Sequence, residues 1–353
     1  MIQKSADGRS MSIDLLKTIS IFGVLVIHTL GGGFSNLTVG SFDWFSAAFW
    51  GSLIRFCVPV FFMCSGSLLL NPEKEISFKT LYLKYLPRIL AALVFWAFAY
   101  EAYDIYNATV SAGSFDVNWV ITSGKNLVLF KHHFHLYFLH IIILVYILLP
   151  VTRLIVKSAS KLDLHYILAI WFLLGIVFPR LRQYYPFNLL SGIPVQYGIN
   201  MTYSAIGYGI MGYYLQKYKP QKPAPMLLLF LAGFVITFGG TIYLSLKSNS
   251  TITLWEGMSP GVALMAIGLF GILTCLLSGK SSTKLVKELS LASFCIYLVH
   301  DFFNQILRDH NIIISNYSPV IVSIPVISLI VLLASYMVYC VLKKIPGVNK
   351  YLI

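Results

Sequence analysis

Apolar stretches of roughly the ~20 residues that a helix needs to cross a hydrocarbon core recur about every 25–40 residues along this chain. A backbone in lipid has no water to bond to, so such stretches fold as helices that satisfy their own N–H and C=O groups. The 353 residues leave room for about ten spans and none for a sizeable soluble domain. Composition agrees, since 58% hydrophobic against 11% charged residues lies outside the range of soluble domains. The expected fold is an all-α polytopic membrane protein. Its spans fall near residues 12–31, 44–71, 80–104, 135–156, 164–180, 199–216, 225–246, 257–278, 289–307 and 318–342.

A net charge of +13 would point to nucleic acid in a soluble protein. Here the basic residues lie between the spans, where they set orientation, and no nucleic-acid partner is expected. Eighteen Lys and Arg fall on one side of the ten-span partition, beginning with Lys4 and Arg9 and ending with Lys343, Lys344 and Lys350. Six fall on the other: Lys125, Lys131, Arg180, Arg182, Lys247 and Arg308. That asymmetry places both termini in the cytoplasm of a multi-pass protein of the cell inner (plasma) membrane. The first stretch is too long and too charged for a cleaved signal peptide. The five cysteines lie in apolar runs without metal-ligand spacing, so they read as small core residues, and no metal is expected.

Lys17 and His28 stand out because both lie inside the first span. A cation and an imidazole are expensive in hydrocarbon and mark function by default. Eleven steps of ~100° return to within ~20° of the same direction, so the two side chains share a helix face, ~16 Å apart along its axis. Further polar groups fall at two depths. His135, His140, His300, Asp301, Glu101 and Asp104 form an outer layer, whereas Lys17, Lys84 and Arg88 cluster near the inner surface, with Arg55 between. This polarity suits an anionic donor approaching from the cytoplasm and chemistry near the outer face. Lys17, Lys84 and Arg88 then hold phosphates, and His28 takes a proton from an attacking hydroxyl.

The same residues carry a resemblance to a known family. Ser12-Ile-Asp14-Leu-Leu-Lys17 followed after ten positions by His28, Arg55 followed by Val58-Pro59-Val-Phe61-Phe62 and Ser65-Gly66, His135-Leu-Tyr137-Phe-Leu, Gly212-Tyr-Tyr-Leu215 and Ser293-Phe-Cys-Ile-Tyr297-Leu-Val-His300 occur in this order. Together they resemble the acyltransferase 3 family of integral membrane acyltransferases, which includes bacterial O-acetyltransferases of surface polysaccharides. The resemblance implies a single transmembrane acyltransferase domain over residues 1–353, with acetyl-CoA or another acyl-CoA as donor substrate and no tightly bound cofactor. It implies His28 as base and Lys17 on the acyl-CoA path.

On that basis the expected partners are acyl-CoA, membrane lipids and an envelope glycan or glycolipid acceptor. Arg55, Ser65 and Tyr297 are expected to orient groups or stabilise the oxyanion, and His135, His300 and Glu101 to contact the acceptor. Two departures stand beside the resemblance. Tyr85 occupies the place of the first of two arginines that the family commonly shows, leaving Arg88 as the second. The extracellular esterase-like domain appended in some members is not expected here. The alternative class is a secondary transporter or saccharide flippase in which buried Lys and His relay protons; it requires paired broken spans or an internal repeat, and neither is evident in the sequence.

Overall fold

The computed structural model describes residues 10–131, 133–190, 192–317 and 319–353, so Lys4 and Arg9 lie outside the described residues. Among the described residues every regular element is helical and none is a strand. The chain opens with α1 (Met11–Gly31), α2 (Phe42–Leu53) and α3 (Cys57–Leu69). Next come α4 (Phe78–Thr80), α5 (Leu86–Ala112), α6 (Val117–Val128) and α7 (Tyr137–Ile147). These are followed by α8 (Leu149–Ser158), α9 (Lys161–Ile170), α10 (Phe178–Leu181) and α11 (Met201–Lys217). The chain then forms α12 (Pro223–Ser248), α13 (Pro260–Leu276), α14 (Lys284–Asp309), α15 (Val320–Leu342) and α16 (Val348–Tyr351). Turns of π-helix at Leu81–Tyr85 and Trp171–Val177 join α4 to α5 and α9 to α10.

Among the described residues six helical stretches are long and apolar enough to cross a membrane: Met11–Gly31, Phe42–Leu69, Phe78–Ala112, Lys161–Leu181, Pro223–Ser248 and Val320–Leu342. They become seven if Phe134–Ile147 and Leu149–Ser158, interrupted just before Pro150, form one span. The other expected spans coincide with helices that are shorter or more polar. α11 and α13 have 17 residues each, and α14 has 26 but is charged at both ends. The third span was expected to end near residue 104, yet α5 continues to Ala112. Its last turns contain no breaker before Gly113, which takes the left-handed conformation at φ 70° and ends the helix.

The fold divides into two compact units, one comprising residues up to Glu75 with Leu149–Tyr336, the other Ile76–Leu148 with Met337–Ile353. In the first unit α1 packs against α14 and α3, α3 against α11, and α12 against α13. The α3–α11 crossing brings backbones together. A Cβ on Gly66 would lie 1.9 Å from the Gly209 carbonyl oxygen, and one on Gly212 2.1 Å from that of Met63. The Ser65-Gly66 and Gly212-Tyr213 segments meet there, which is the use small residues have between membrane helices. A buried cluster including Val26, Leu30, Phe34, Trp44, Ile314 and Ile324 packs around the far end of α1.

In the second unit α5 packs against α6, α7 and α16. The Trp96 indole N–H donates to the Leu352 carbonyl at 3.0 Å, and the Arg88 guanidinium donates to the Ile353 carbonyl.

Candidate active site

Asp14, Lys17 and His28 all come from α1, and α14 runs beside it in the same direction, joined at both ends. At the start, the Asp14 carboxylate accepts from Ser282 at 2.5 Å and Ser290 at 2.7 Å. One turn on, the Thr18 hydroxyl donates to the Asp14 carbonyl at 2.9 Å. Toward the other end the His28 ring meets His300 edge-on, with centroids 4.7 Å apart and planes at 64°. The ~16 Å rise between Lys17 and His28 thus separates two polar contacts along one helix pair.

His300 is fully buried, and its Nδ1 donates to the Tyr297 carbonyl oxygen at 2.6 Å. A carbonyl can only accept, so Nδ1 carries a proton and is the donor. Tyr297 is itself buried, with its ring 6.1 Å from that of His300. Arg55 and Arg308 both lie within electrostatic range of His28, and Lys17, half-buried, within range of Cys64 on α3.

Arg55 occupies the turn between α2 and α3, where the helical ladder is interrupted. Its Nε donates to the Gly51 carbonyl at 3.1 Å, supplying a partner at a backbone break inside an apolar stretch. The Trp255 ring lies against Gly51 and under the Arg55 guanidinium, whose carbon is 4.4 Å from the ring centroid. Trp255 is fixed in turn by its N–H to the Ser52 hydroxyl at 3.0 Å and by stacking on Phe34 at 5.0 Å.

A cleft opens beside His28, lined also by Thr29, Gly32, Asn304, Leu307 and Arg308, with isoleucines completing the wall. Its volume is about 220 Å³ including the open mouth.

The remaining expected site residues are Ser65 and a group in the second unit. Ser65 donates its hydroxyl to the Phe61 carbonyl at 3.0 Å, in the α3–α11 crossing. In the second unit, His135 is buried with its ring 4.6 Å from Tyr100, and His133 pairs with Asp104 at 2.8 Å. Glu101 is buried beside Tyr100 in sequence, and His140 meets Phe130 edge-on at 5.6 Å. Lys84 is exposed, and Arg88 is held by Ile353 as described.

Sequence reasoning passed over Trp255, Asn304 and the serines that hold Asp14. Asn304 follows His300 by four positions, a spacing that places both on one helix face and was a usable signal. Trp255 belongs to a loop far along the chain, and no local pattern pairs it with Arg55.

A family model described as an acyltransferase domain matches residues 11–340. No curated protein and no solved structure matches the chain.

Proposed function

The chain belongs to this acyltransferase family, and from that premise we propose that it is an integral membrane O-acyltransferase moving an acetyl or other short acyl group from cytoplasmic acyl-CoA to a hydroxyl of an envelope saccharide or lipid-linked sugar. The contact of His28 with His300 on a helix pair tied at both ends is the observation that carries this reading. In the proposed topology ten spans cross the inner membrane, and both termini are cytoplasmic. Lys17 supplies a cation for the donor's phosphates.

Acyl transfer then proceeds with His28 as general base. His28 removes the proton from the acceptor hydroxyl, the freed oxygen attacks the thioester carbonyl carbon, and the tetrahedral oxyanion collapses with cleavage of the C–S bond. The departing thiolate takes the proton from the imidazolium, so ester and free CoA thiol leave and the base is regenerated. His300, itself held by the Tyr297 carbonyl, packs edge-on against the His28 ring and so orients the base, as a third group does in other nucleophile–base pairs. Arg55, held over Trp255, is the cation placed for the developing oxyanion.

The test is mass spectrometry of envelope glycans and glycolipids from cells lacking the gene, complemented with wild type or with His28→Ala. The wild type should restore an acyl mass that the variant does not, at equal membrane abundance; restoration by His28→Ala would remove the mechanism.

A further inference from the structure

The cleft beside His28 contains two groups that the transfer chemistry does not use. Asn304 is only 3% exposed, yet its side-chain nitrogen has no hydrogen-bond partner among the described residues. A buried amide left unmatched costs ~1–3 kcal/mol, so a partner arriving from the cleft recovers a penalty already present in the fold. Arg308 stands one turn further along α14. Its side chain is 37% exposed, and its ion pair with Asp301 is long, at 3.8 Å. The second Asp301 oxygen lies 3.4 Å from the Gln305 amide, so the guanidinium is loosely held. His300, Asn304 and Arg308 recur every four residues and form one stripe of α14, against an otherwise mainly apolar wall.

We propose that this cleft is the acceptor subsite and that it selects a saccharide hydroxyl flanked by an anionic group, a carboxylate or a phosphate. The inference rests on the acyltransferase reading above. Arg308 takes the anion with its planar fork, a geometry that matches both oxyanions. The Asn304 amide bonds the sugar oxygen next to the reacting hydroxyl and so sets that hydroxyl against His28. The small volume fits this use. The enclosed part holds about 10 Å³, room for one small group such as the reacting hydroxyl, so the rest of the acceptor stays at the open mouth and outside.

The test uses the full chain in nanodiscs with labelled acetyl-CoA and three acceptors: a uronic-acid oligosaccharide, a sugar phosphate and a neutral glucan. At least one anionic acceptor should exceed the neutral glucan by about tenfold or more in kcat/KM, and the two anionic arms tell carboxylate from phosphate. Arg308→Gln should raise the KM for that acceptor by about tenfold while leaving the KM for acetyl-CoA in place, and Arg308→Lys should recover part of the loss. Asn304→Ala should raise the acceptor KM at a thermal midpoint no lower than that of the wild type. Equal use of the neutral glucan, with an unaltered acceptor KM in Arg308→Gln, overturns the anionic acceptor but leaves the acyltransferase reading intact. Absence of acyl transfer to every acceptor by a folded protein overturns both.

Discussion

The Asp14 carboxylate accepts a hydrogen bond from the Ser290 hydroxyl at 2.7 Å, and this bond ties the first turn of α1 to the first third of α14. With Ser282 on the other oxygen, the carboxylate fixes the rotation and height of α1. Because α1 is continuous from Met11 to Gly31, that setting is transmitted three to four turns along to His28.

Asp14→Ala should therefore cost ~1.5–3 kcal/mol, the range for hydrogen bonds to a charged group, and should lower the thermal midpoint in detergent. Turnover should fall by more than the loss of folded protein explains, because His28 loses its register against His300. Asp14→Asn, which keeps one acceptor, should recover much of both. Activity per folded molecule equal to wild type in Asp14→Ala would show that the tie is structural only.

Trp255→Ala removes the ring beneath Arg55 and the bond to Ser52. The expected result is a loss of kcat of roughly 10-fold or more with little change in donor KM, as befits an interaction made in the transition state. Trp255→Phe keeps the ring face and loses only the N–H, so its effect should be several-fold smaller. Steady-state kinetics on both variants separates the ring from the hydrogen bond.

Ser65 and Arg55 are distinguishable by the same assay. The Ser65 hydroxyl is spent on the Phe61 carbonyl, so Ser65→Ala should retain activity within about threefold. Loss of a true oxyanion donor costs ~100-fold or more. Arg55→Ala should show that larger loss, and Arg55→Lys should not fully repair it.

At the α3–α11 crossing, Gly66→Ala places a methyl 1.9 Å from the Gly209 carbonyl oxygen. Backbone cannot yield as a flexible side chain would, and overpacking of this kind costs ~1–3 kcal/mol or more. Lower expression and a lower thermal midpoint are expected, with KM values unaltered in whatever folds; a neutral substitution would mean that the helices are further apart than described.

Much of the helical layout was legible in the sequence, because a membrane span is a local property of about twenty apolar residues. All ten expected stretches are helical, although only six or seven meet the length and apolarity needed to cross. The shared face of Lys17 and His28 was legible for the same reason, since helical periodicity alone relates them. What the spacing did not carry was tertiary pairing. Nothing near Asp14 announces Ser282 or Ser290, and nothing near Arg55 announces Trp255, because those partners are about 200 or more residues away. The contact of His300 with His28 was not legible either, because it depends on two helices running in register. The second-unit residues Lys84, Arg88, Glu101 and His135 were grouped by estimated depth, with His135 and Arg88 also matched to family motifs, and neither signal speaks of partners such as Ile353 for Arg88.

The central claim is that His28 is the base of acyl transfer, and acceptor-dependent release of CoA thiol from acyl-CoA by the purified protein in nanodiscs tests it most directly. The wild type should release thiol only when acceptor is present, and His28→Ala should lower that rate by ~100-fold or more while keeping its thermal midpoint. Acceptor-dependent thiol release by His28→Ala at the wild-type rate would contradict it.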